Sequence, residues 1–180
     1  MFGYILDATG YLGYGMVAIV AFLLLLEGIL FCKGRRISWL ERIFFGLFGV
    51  YLTVILAVTV SPIYGFYTKL NELEINLNAF AVFVHGHLNP MNLFGNIAMF
   101  IPIGFFLPLI SRKMQHGIRA ILVGGIISTL IEFLQIFLRR GTDIDDVILN
   151  TMGTAIGYSI ASVFLHILPS MRKMIGIEEI

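Results

Sequence analysis

Five stretches of about 20 mostly apolar residues dominate the chain, near 11–31, 40–64, 91–110, 118–138 and 147–168. About 20 such residues are what an α-helix needs to cross the roughly 30 Å hydrocarbon core of a bilayer. No stretch sustains the two-residue alternation of a half-buried strand. The chain is 58% hydrophobic and 13% charged, whereas a soluble domain averages about 45–50% and 25%. The expected fold is therefore an all-α integral membrane protein. It is a bundle of about five transmembrane helices forming a single membrane domain over residues 1–180.

The one long connection, about 65–90, opens with Lys69, Asn71, Glu72 and Glu74 and turns apolar over 79–84. That apolar part is too short to span, so 77–88 is expected to lie on the membrane or re-enter it. Orientation follows from Lys and Arg, which are enriched in cytoplasmic loops. Nine (Lys33, Arg35, Arg36, Arg42, Arg112, Lys113, Arg119, Arg172 and Lys173) fall on one side of a five-span map, and three (Lys69, Arg139 and Arg140) on the other. The N-terminus is thus expected outside and the C-terminus in the cytoplasm. The stretch MFGYILDATG lacks a basic n-region and carries Asp7, so the first run is expected to stay as a span rather than be cleaved as a signal peptide.

A net charge of +1 builds no basic field, which excludes nucleic acid as a partner. Cys32 is the only cysteine and has no intrachain disulfide partner. Neither a Walker-type loop nor G-x-S-x-G is present, so no nucleotide or hydrolase motif supports an enzyme, and no cofactor is expected.

Polar residues gather around the turn between the last two spans. Asn89-Pro90 reads as a helix start, with Asn as cap and Pro in the first helical position. Asn92 and Asn96 follow on one face. Pro102 and Pro108 are expected to kink that helix or break its last turns, and Gly95 and Gly104 to allow close approach. In the next span Glu132, Gln135 and Arg139 share a face. Glu132 is roughly 10 Å from the outer end at 1.5 Å per residue. Past the turn come Asp143, Asp145 and Asp146, and then Asp146, Asn150, Gly153 and Gly157 on one face. Small residues at that spacing suit helix contact. Together these residues predict a polar pocket with three walls, facing the outside.

Each group also has a structural reading. Asp143 and Asp146 suit helix capping, and Asn92 and Asn96 suit interhelical hydrogen bonding. Glu132 pairs naturally with Arg139 or Arg140, although an intramembrane carboxylate is first a functional candidate. Glu27 is a second such carboxylate, near the inner interface. His85 and His87, with Asp145, carry side chains of metal-ligand type, but H-x-H alone does not define a site and no bound metal is expected.

The ordered blocks Asn89, Asn92, Asn96 and Pro102-Ile103-Gly104, then Glu132-x-x-Gln135, then Arg140-x-x-Asp143-x-x-Asp146-x-x-x-Asn150-x-x-Gly153-x-x-x-Gly157 closely resemble the VanZ-like family. The resemblance is specific through order and spacing; it covers about 89–157 and, less distinctly, the rest of a core at about 40–168. It implies a small bacterial multi-pass protein. The family's namesake is associated with low-level resistance to teicoplanin, a lipoglycopeptide acting on cell-wall precursors outside the cell.

Three activities are compatible with these residues. In the first, Asn92, Asn96, Glu132, Gln135, Arg139, Arg140, Asp143, Asp146 and Asn150 bind a lipid-linked cell-wall precursor or the lipoglycopeptide, with membrane lipids as further partners. The arginines pair with phosphate or carboxylate. In the second, the protein is an enzyme acting on a lipid-linked substrate. Glu132 is its acid or base, and Asp143, Asp145, Asp146, His85 or His87 hold a divalent metal. In the third, it is a transporter, which the lack of an internal repeat disfavours.

Overall fold

A reciprocal cap starts the first helix in the structure, a computed structural model that describes residues 38–60, 75–79, 90–138 and 141–168. The Ser38 N–H donates to the Glu41 carboxylate at 2.8 Å, and the Glu41 N–H donates to Ser38 Oγ at 3.2 Å. Such a box satisfies two of the donors that a helix N-terminus leaves unpaired. It opens α1 (Trp39–Val60). A two-residue strand, β1 (Ile75–Asn76), follows, and then α2 (Pro90–Ile110). A 3-10 turn over Arg112–Gln115 leads into α3 (Gly117–Phe137). The second short strand, β2 (Thr142–Asp143), runs directly into α4 (Ile144–Ile167).

All four helices are long and apolar enough to cross a membrane. With apolar side chains such as Val54, Leu122, Ile126, Leu130, Ile156, Ile160 and Val163 exposed on their outer surfaces, the chain is an all-α multi-pass membrane protein. The expected span at 11–31, Glu27, residues 61–64 and most of the segment at 77–88 lie outside the described residues.

Two expectations change at the helix ends. α4 begins at Ile144 rather than 147, because Asp143 caps it. α2 begins on Pro90 as predicted and continues through Pro102 and Pro108 to Ile110, so the prolines do not break its last turns. Pro108 is fully buried, and membrane helices tolerate proline where neighbouring helices enclose it.

The bundle is built on a close α2–α4 contact. Lipid tails are as apolar as leucine, so membrane helices associate through tight packing and hydrogen bonds rather than by escaping water. A Cβ on Gly153 would overlap the Ile97 carbonyl oxygen, and one on Gly157 that of Ile101. Gly104 likewise meets the Thr154 carbonyl oxygen. α3 joins at the same level, with Gly124 against the Thr154 side chain. Gly95, expected to serve close approach, has nothing within 4 Å of its Cβ position. α1 packs on α2 and α3 through Phe48 and Ile55, which meet Phe100, Ile103, Leu107, Ala120 and Ile131. The Tyr51 hydroxyl donates to the Met99 carbonyl at 2.5 Å, tying α1 to α2.

Candidate functional site

The polar site is assembled around the N-terminus of α4. Asp143 is the N-cap, and its carboxylate accepts the Asp145 N–H at 2.9 Å. Asp145 and Asp146 occupy the first turn, where the helix dipole favours negative charge. In a capping box the residue three positions on would accept the N-cap N–H. Here that acceptor comes from another helix. The Asp143 N–H donates to Glu132 Oε2 at 3.2 Å, and Thr142 Oγ1 donates to the Glu132 carbonyl at 3.2 Å. Glu132 is only 5% exposed, so this double contact anchors the α3–α4 turn beneath the surface.

With the cap supplied by Glu132, Asp146 is available to α2. Its carboxylate accepts from Asn96 Nδ2 at 2.5 Å. The long connection is fastened to the same turn. β1 and β2 pair in parallel, Ile75 opposite Thr142 and Asn76 opposite Asp143, and Asn76 Nδ2 donates to Asp143 Oδ2 at 3.0 Å. The Asn78 N–H donates to Asn76 Oδ1 at 3.1 Å, fixing both ends of that amide.

Between β1, β2, α2 and α4 lies a cleft of about 510 Å³. Its polar lining consists of Asn76, Asn92, Thr142, Asp143 and Asp146, backed by Ile75, Leu93 and Leu149. Two carboxylates and two amides can take up hydroxyl, ammonium and amide groups. The described lining contains no basic side chain.

The structure sorts the predicted residues into groups. Asn92, Asp143 and Asp146 line the cleft, and Asn96 holds Asp146 from behind. Glu132 supports the turn without lining the cleft. The sequence places Gln135 on the same wall as Glu132, but packing divides them. Gln135 Nε2 reaches across to the Thr59 carbonyl at 2.9 Å, near the C-terminal end of α1, where helix carbonyls lack intrahelical donors. Asn150, 3% exposed, turns to α3 and donates to Ser128 Oγ at 2.9 Å. The expected convergence of all these side chains on one pocket is therefore corrected for Glu132, Gln135 and Asn150, which do not line the cleft.

Asp145 is 2% exposed, and no group of three potential metal ligands occurs among the described residues. Arg139, Arg140, His85 and His87 lie outside the described residues. Asn76 and Thr142 are lining residues that the sequence does not single out. A two-residue bridge between segments so far apart in the chain leaves no periodic signal.

A family model described as VanZ/LLP1 matches residues 48–165, more than half of the 180-residue chain. That stretch runs from within α1 to the last turn of α4. No curated protein and no solved structure matches the chain.

Proposed function

The chain belongs to the VanZ/LLP1 family, and from that premise we propose that it is a bacterial cell-membrane protein that binds the polar part of a lipid-linked cell-wall precursor, or of a lipoglycopeptide, in the cleft at the α3–α4 turn. One observation carries this reading. The cleft joins hydrogen-bonding side chains from β1, α2, β2 and α4 at the boundary of four membrane-length helices, where a lipid-linked headgroup would sit. Asp143, Asp146, Asn76 and Asn92 engage sugar hydroxyls and peptide amines. Arg139 and Arg140, next to Gly141 in sequence, pair with phosphate, Arg doing so bidentately. Holding or masking the precursor then links the protein to glycopeptide resistance.

In this reading residues 1–180 form one domain of five spans. The N-terminus is outside, the C-terminus is cytoplasmic and the cleft opens outward, following the distribution of Lys and Arg. Because Glu132 holds the Asp143 N–H and does not line the cleft, binding is favoured over acid–base catalysis.

The test is binding of a lipid-linked disaccharide-peptide precursor to the full chain in nanodiscs. Arg140→Gln is expected to weaken binding by about tenfold or more, the scale of losing one charge-assisted hydrogen bond. Binding unchanged by the substitution would remove the phosphate-pairing role.

A further inference from the structure

A second polar cavity lies at the opposite end of the bundle, where the α2–α3 connection meets the last turns of α4. Pro108, Gln115, Tyr158, Ser162, Leu165 and His166 line about 200 Å³. Pockets for drug-sized ligands run to about 300–1,000 Å³, so this one suits a single small group.

Its walls are fixed by hydrogen bonds that also define what it lacks. The Tyr158 hydroxyl donates to the Gln115 carbonyl at 2.5 Å, and the Ser162 hydroxyl donates to the Tyr158 carbonyl at 2.9 Å. Both hydroxyl hydrogens are thereby used, leaving the two oxygens as acceptors. Gln115 Nε2, by contrast, is a fully buried donor with no hydrogen-bond partner. A buried group left unsatisfied costs about 1–3 kcal/mol, so the cavity calls for an acceptor at that nitrogen.

The surrounding charge has the matching sign. α3 begins at Gly117, and its N-cap residue, His116, makes no side-chain cap. The first N–H groups of a 21-residue helix thus add positive potential beside the cavity. Arg112, Lys113 and Arg119 are exposed in and just after the same connection, and residues 111–119 contain no acidic side chain. The ends of three membrane-length helices meet here, which is headgroup level.

We propose that this cavity binds the phosphate of an anionic membrane phospholipid, with Gln115 Nε2 donating to a phosphate oxygen. Arg112 and Lys113 contribute at longer range, as basic residues do at an anionic leaflet. The Tyr158 and Ser162 oxygens accept from a headgroup hydroxyl such as that of phosphatidylglycerol. The site is independent of the cleft at the α3–α4 turn, and each can fail without the other.

The experiment measures lipid retained by the full chain, by native mass spectrometry from nanodiscs of mixed phosphatidylcholine and phosphatidylglycerol. Wild type is expected to retain phosphatidylglycerol over phosphatidylcholine. The latter carries the same phosphate but has a choline cation facing Arg112 and Lys113 and no hydroxyl for the Tyr158 and Ser162 oxygens to accept from. Gln115→Leu, which removes the donor, and Gln115→Glu, which keeps the shape and adds a negative charge, should both lower phosphatidylglycerol retention by about tenfold, the scale of one hydrogen bond to a charged group. Thermal unfolding in detergent shows which variants fold, and Gln115→Leu is expected to stay near wild type because it removes an unsatisfied buried donor without adding a charge. Should either variant fail to fold, the other decides alone. Equal retention of the two lipids by wild type, undiminished phosphatidylglycerol retention by a folded Gln115 variant, or tighter retention by Gln115→Glu would each overturn the proposal. Millimolar inorganic phosphate should leave the retained lipid in place; displacement would overturn the lipid as occupant.

Discussion

Gly157→Leu is expected to abolish the folded bundle, and Gly157→Ala to lower its stability by about 1–3 kcal/mol, the usual scale of overpacking. At Gly157 a Cβ would overlap the Ile101 carbonyl oxygen and come within 2.9 Å of the Phe105 backbone nitrogen. Both obstacles are helix backbone, so no side chain can swing aside. The only relief is to push α4 away from α2, which also pulls Asp146 from Asn96 at the α3–α4 turn. Gly95→Ala is the control, since its Cβ would meet nothing within 4 Å. Thermal unfolding in detergent, followed by size exclusion, reads both. A Gly157→Leu protein with wild-type stability would refute the close α2–α4 contact.

Glu132→Ala is expected to cost about 1–3 kcal/mol, the penalty for leaving a buried donor without its acceptor. The donor is the Asp143 N–H, and the loss frees both the α4 cap and the β1–β2 bridge built on Asp143. Glu132→Gln keeps an acceptor oxygen and should retain more of the stability. Limited proteolysis should then cut the alanine variant near Gly141 faster than the glutamine variant. If Glu132 were an acid–base group instead, both variants would fold normally and lose activity alike. Wild-type stability in Glu132→Ala would therefore remove the capping role.

Helix content is legible in this chain because the bilayer imposes a length and a polarity that composition alone displays. The last three spans lie within three residues of α2, α3 and α4. The Gly153 and Gly157 face is also readable, since four-residue spacing of small residues has one main use in a membrane helix. The site was legible in part, and the reason is geometric. Helical phase puts Glu132 and Gln135 on one side of α3, but α4 and α1 pack on different flanks of that side, so one residue caps α4 and the other reaches α1. Phase fixes direction around a helix and says nothing of which neighbour occupies it. Asn76 was not legible for a different reason: its role depends on a pairing with Asp143, 67 positions away. The Ser38–Glu41 box was legible as S-x-x-E before an apolar run.

A polar headgroup held in the cleft at the α3–α4 turn would be displaced by a side chain that fills that cleft. Asn92 is exposed and lines the cleft from the first turns of α2, so Asn92→Trp should fill the space without disturbing the packed helices. The measurement is equilibrium binding of the lipid-linked disaccharide-peptide precursor to wild type and Asn92→Trp in nanodiscs, with thermal unfolding as the check on folding. Wild type should bind, and the equally stable tryptophan variant should bind at least about tenfold more weakly, a difference of roughly 1.4 kcal/mol. Equal binding by the two proteins, or no binding by wild type, would contradict the account.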